Sequence, residues 1–82
     1  MTREEVYERL LPVFRDVFDD KTIKIDDKTS SSDIVGWDSL VHIQLIDSVQ
    51  DEFAVEFGVE EAYTMRHVGD LVTMIIKAVD EK

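Results

Sequence analysis

The chain has 82 residues, enough for one domain with one small core. Its 19 acidic residues against 9 basic ones give a formal charge of −10, which argues against nucleic acid and anionic membrane surfaces and favours partners with basic patches. It has no cysteine, and His42 and His67 are its two histidines, which argues against disulfides, thiolate metal sites, a thiol nucleophile or a zinc centre.

In chain order, Thr2-Arg3-Glu4-Glu5 reads as a capping box, with Thr2 as N-cap and Glu5 three residues on. Val6, Leu10, Val13, Phe14 and Val17 recur at helical spacing and predict a first helix over residues 3–18. Pro12 lies inside it and removes the backbone bond to Glu8, so a kink or a late start is expected. Asp19-Asp20 is a poor place to continue, because acids at a helix C-terminus oppose the macrodipole. Residues 19–38 read as a long ordered connection pinned by Ile23, Ile25, Ile34 and Trp37, with a short helical turn near Ser32. Its acids do not have calcium-loop spacing, and a solvated loop is the better reading.

A second helix is predicted over residues 40–53, with Leu40, Ile43, Leu45, Ile46, Val49 and Phe53 on an apolar stripe. Val41, Gln44, Asp47, Ser48 and Asp51 fall on its other side. Residues 54–57 alternate like a strand but have no partner strand, so they read as loop. Gly58 breaks the chain there, and a short third helix is predicted over 59–63. Val68, Leu71, Val72, Ile75, Ile76 and Val79 define a last helix over 67–80, whose first turn Gly69 weakens slightly. His67, near its N-terminus, reads as structural. The product is an all-α fold: a small four-helix bundle of three main helices and one short one, with a long loop between the first and second. No apolar run reaches bilayer length, and the first residues lack the apolar core of a signal peptide, so a soluble cytoplasmic protein is expected.

The stretch Gly36-Trp37-Asp38-Ser39-Leu40 sits where the loop gives way to the second helix. Asp38 or Ser39 caps that helix by the ordinary preference for such residues at an N-terminus. A nucleophilic serine fits poorly. His42 lies one helical turn away, but no G-x-S-x-G elbow, orienting acid or oxyanion hole accompanies it. An 82-residue bundle also has little room for a substrate pocket, so no enzyme is expected.

Asp38-Ser39-Leu40 opening an amphipathic helix in a small acidic bundle resembles the acyl carrier protein family. The likeness extends through residues 39–53, 59–63 and 68–79 in order and spacing, and to the long loop before them. It implies that Ser39 carries 4′-phosphopantetheine through a phosphodiester, placed by a phosphopantetheinyl transferase that takes it from coenzyme A. The arm then supplies the only thiol, and the carrier itself needs no catalytic residues and no metal. The resemblance further implies a monomer whose second helix docks acyl-loading and acyl-processing enzymes through their basic patches. Asp38, Asp47 and Asp51 match that role, Leu40 and Val41 provide an apolar contact beside Ser39, Gln44 lies on the same face, and Glu60 and Glu61 extend the patch. Each acid also has an ordinary reading as a solvated surface charge.

Three positions depart from fatty-acid carriers. Val41 and Gln44 stand where those tend to have acids, and Trp37 replaces a small residue. The latter looks more like free-standing carriers of specialised pathways, or D-alanyl carriers, although Trp37 reads first as an anchor of the long loop. The alternatives are therefore a D-alanyl or peptidyl carrier loaded by an adenylating enzyme, or an unmodified acidic helical adaptor.

Overall fold

In the computed structural model, which describes residues 1–81, the capping box forms as the sequence dictates. Thr2 Oγ1 accepts from the Glu5 N–H at 3.2 Å, and Glu5 returns a bond to the Thr2 N–H at 3.0 Å. Helix α1 (Arg3–Val17) follows. It starts on time and runs through Pro12 without interruption, so the expected late start does not occur. Glu8 and Pro12 are both exposed, and the carbonyl that proline leaves without its N–H faces water, where the loss costs least. The helix stops at Val17, and Asp19 takes a left-handed φ of 50°.

The long connection contains one 3-10 turn at Ser31–Asp33, at the position the sequence suggested. Helices α2 (Ser39–Phe53), α3 (Val59–Thr64) and α4 (Val68–Asp80) complete an all-helical bundle, with no strand among the described residues. Helix α1 packs on both α2 and α4. The core between them holds Val6, Leu10, Phe14, Leu45, Val49, Leu71, Val72 and Ile75, all fully buried. Removing this apolar surface from water is the main stabilising term of a fold without cross-links.

Two residues of the predicted apolar stripe are corrected. Leu40 is 66% exposed and Ile43 is 44% exposed, while Val41 and Ser48, expected to face away, are half-buried. The buried side of α2 passes through Leu45, Ile46, Val49 and Phe53; positions 41 and 48, two turns apart, lie along one edge of it. Helix α3 has only six residues and is too short to cover the face bearing positions 40 and 43.

The loop is fastened to α4 by backbone. The Val68 N–H donates to the Thr29 carbonyl at 2.7 Å and the Gly69 N–H to the Asp27 carbonyl at 3.2 Å, satisfying donors that a helix N-terminus leaves open. Gly69 is there for proximity: a Cβ at this position would lie 2.7 Å from the Asp27 carbonyl oxygen. The reading of Gly69 as a mere weak point is thus incomplete. Arg3 adds side-chain bonds to Asp27 (2.7 Å), the Gly69 carbonyl (3.1 Å) and Thr73 (3.0 Å), and the Tyr7 hydroxyl also donates to Asp27. Burial, reinforced by the Asp27 carboxylate, raises the Tyr7 hydroxyl above its usual range.

Candidate functional site

The loop reaches α2 through a tight turn. Gly36 has a φ of +89°, a left-handed conformation that favours glycine, and its carbonyl accepts the Asp38 N–H at 3.1 Å. Asp38 is then the N-cap: its Oδ1 accepts the Val41 N–H at 2.9 Å. The choice between Asp38 and Ser39 as cap falls to Asp38.

Ser39 is therefore the first helical residue. It is exposed, and among the described residues its hydroxyl has no hydrogen-bond partner. The N–H groups of Ser39 and Leu40 likewise have no protein acceptor. An anion bonded to this hydroxyl would meet two open donors and the positive end of the α2 dipole.

Trp37 is the anchor the sequence suggested. Its ring meets Phe14 edge-on at 5.6 Å and Phe18 at 5.7 Å. Its indole N–H donates to His42 Nδ1 at 3.1 Å. That bond makes Nδ1 an acceptor, which puts the imidazole proton on Nε2, and Nε2 donates to the Ala62 carbonyl at 2.7 Å. Both ring nitrogens are thus engaged elsewhere, and His42 is not free to act as a base toward Ser39. The Trp37–His42–Tyr63 rings form a continuous row, with centroids 6.0 and 6.2 Å apart. This row lay beyond sequence reading, because an i, i+5 pair across a loop–helix junction follows neither helical nor strand period.

Trp37, His42, Tyr63, Met65 and Arg66 wall a groove of about 310 Å³ that Ser39 borders. Leu40 stands in solvent beside the serine, and Val35 is 99% exposed just ahead of it. Asp38, Gln44, Asp47 and Asp51 are exposed along α2, and Glu60 and Glu61 are exposed in the first turn of α3. Val41, expected as a contact residue, is half-buried and presents only part of its side chain. Residues 29–65 contain eight acids and no lysine or arginine, so this segment carries most of the net charge. His67 stands at the N-cap of α4, where its N–H donates to Asp70 at 3.0 Å. The Arg66 and His67 N–H groups hold the Asp70 carboxylate below its usual range. His67 is structural, as expected.

A family model described as the phosphopantetheine attachment site matches residues 8–75. The chain belongs to this phosphopantetheine-binding family of acyl carrier proteins. It is similar over 93% of its length to the holo acyl carrier protein of Geobacter metallireducens, whose solution NMR structure it matches at 37% identity and a TM-score of 0.87, covering 87% of that chain. The fold is the acyl carrier fold, the role is that of a carrier, and the prosthetic group is covalent 4′-phosphopantetheine. The residues around α2 fit such a group: an exposed hydroxyl, two open N–H donors for the phosphodiester, and a groove leading away from them. When bound, the arm supplies the thiol that this cysteine-free chain lacks. No helix among the described residues is long and apolar enough to cross a membrane.

Proposed function

We propose that Ser39 bears the arm and that the protein holds acyl intermediates as thioesters on it, passing them between enzymes of a biosynthetic pathway. The observation that carries this reading is the division of labour at the α2 N-terminus. Asp38 takes the capping bond and leaves the neighbouring hydroxyl exposed and unbonded. In the loading step, Ser39 Oγ forms a bond to the pantetheine-side phosphorus of coenzyme A. The pyrophosphate P–O bond breaks, the nucleotide half leaves, and the hydroxyl proton passes to the transferase. The chain contributes position and the open N–H groups, and the transferase contributes the base and metal.

The docking face comprises Asp38, Asp47 and Asp51 on α2 with Glu60 and Glu61 on α3, around the exposed Leu40 and the neutral Gln44. It suits enzymes that present arginine and lysine around an apolar socket. The 82 residues act as one monomeric carrier domain in the cytoplasm, where coenzyme A and such enzymes meet.

Intact mass after incubation with coenzyme A, magnesium and a broad-specificity transferase tests the assignment. The native chain should gain one phosphopantetheine and Ser39→Ala none. A native chain left unmodified by several such transferases would favour the unmodified adaptor, and an adduct that persists in Ser39→Ala would move the attachment elsewhere.

A further inference from the structure

Of the four arginines in the chain, three are committed within the fold. Arg3 pairs with Asp27, Arg9 pairs with Glu52, and Arg15 donates to the Ile23 carbonyl. Arg66 is the exception. It is exposed, and among the described residues its guanidinium makes no hydrogen bond or ion pair. The neighbouring Asp70 carboxyl is lowered chiefly by the N–H groups of Arg66 and His67, and the Arg66 charge is the least of the causes that lower it. Arg66 lies in the connection between α3 and α4 and walls the same groove that Ser39 borders. Asp38 and Arg66 are the two residues of full charge on that wall, one of each sign. A phosphodiester on Ser39 adds a second negative charge one residue from Asp38, and like charges so close repel. The cation available on the same groove is Arg66, whose planar fork of donors matches two phosphate oxygens.

We infer that Arg66 is the counter-ion of the phosphodiester at Ser39, binding it from the α3–α4 side of the groove while the open Ser39 and Leu40 N–H groups bind it from α2. The inference rests on Ser39 as the attachment residue. Arg66 thereby offsets the repulsion from Asp38 and fastens the root of the arm to a second element, which restricts the directions in which the arm can leave the serine.

The test compares apo and holo forms of the native chain, Arg66→Lys and Arg66→Gln in urea, an uncharged denaturant that leaves ion pairs unscreened. In the apo forms Arg66→Gln should be as stable as native, because the guanidinium holds nothing there. In the holo forms native should exceed Arg66→Gln by about threefold in the folding equilibrium, with Arg66→Lys between them. The difference should vanish in about 1 M salt. The phosphorus NMR resonance of the holo protein should differ between native and Arg66→Gln at low salt and coincide at high salt. Acetylating the thiol should leave all of this unchanged, since Arg66 acts at the phosphate end of the arm. An equal effect of Arg66→Gln on apo and holo forms overturns the inference, as does a difference that salt leaves intact or one that arises only on acetylation. Should Arg66→Gln not fold, Arg66→Lys and the salt dependence of the native apo–holo difference decide alone. Failure of the underlying assignment is distinct, because intact mass would then show no phosphopantetheine on the native chain, or an adduct surviving in Ser39→Ala.

Discussion

At position 38 a carboxylate oxygen accepts the Val41 N–H, and that bond fixes what alanine costs at two neighbouring sites. Asp38→Ala leaves an orphan donor in the first turn of α2 and should lower stability by about 1 kcal/mol in denaturant titrations. Ser39→Ala removes a hydroxyl that bonds nothing in the protein, and its stability should stay within about 0.5 kcal/mol of native. A loss of the larger size at Ser39 would mean that the hydroxyl has a capping role after all. The sequence offered both residues as caps because both types are good acceptors. Only backbone geometry, with Asp38 extended at φ −114° and Ser39 already helical, separates them.

Among the elements, α4 depends most on a neighbour for its start. Its first N–H groups are satisfied by carbonyls of Asp27 and Thr29 rather than by a side chain, and the close approach requires Gly69. Gly69→Ala places a methyl group 2.7 Å from the Asp27 oxygen and should destabilise by about 1–3 kcal/mol through forced separation of loop and helix. Equal or greater stability, as helix propensity alone would give, would contradict that packing account. This contrast shows where sequence reading reached its limit. Helices α1, α2 and α4 were legible because Val6, Leu10 and Phe14, or Leu71, Val72 and Ile75, repeat at helical spacing and all end in one core. The Asp38-Ser39-Leu40 junction was legible because capping residues and an amphipathic run meet there. Ile43 was misplaced because periodicity reports which face is apolar, not how far a short neighbour extends to cover it. The Trp37–His42–Ala62 chain and the Gly69–Asp27 contact join residues distant in sequence, and no local pattern encodes them.

On the scale of the whole molecule, Asp27 ties three segments together, receiving Tyr7 and Arg3 from α1 while its carbonyl serves α4. The Tyr7 hydroxyl, and then the Arg3 guanidinium, hold its carboxyl below the usual carboxylate range. A depressed value means that the ionised form is favoured by folding. Its contribution is complete above the ordinary carboxylate value of about 4 and fades as pH falls through the lower folded value. The stability gap between the native chain and Asp27→Asn should therefore hold from about pH 7 to pH 5 and close below about pH 4. Parallel denaturant titrations across that range check it, and a gap that widens on acidification would reverse the sign.

The cation-free run from Thr29 to Met65 gives the chain a handedness of charge as well as a quantity. All nine basic residues lie outside it, in residues 3–28 and 66–82, so the molecule has a negative pole around α2 and a nearly compensated remainder. In the field of a positively charged enzyme such a body experiences a torque before it experiences contact. It turns the face bearing α2 and α3 forward while still separated by about a Debye length, roughly 8 Å at physiological salt. Much of the orientational search of docking is then complete on arrival.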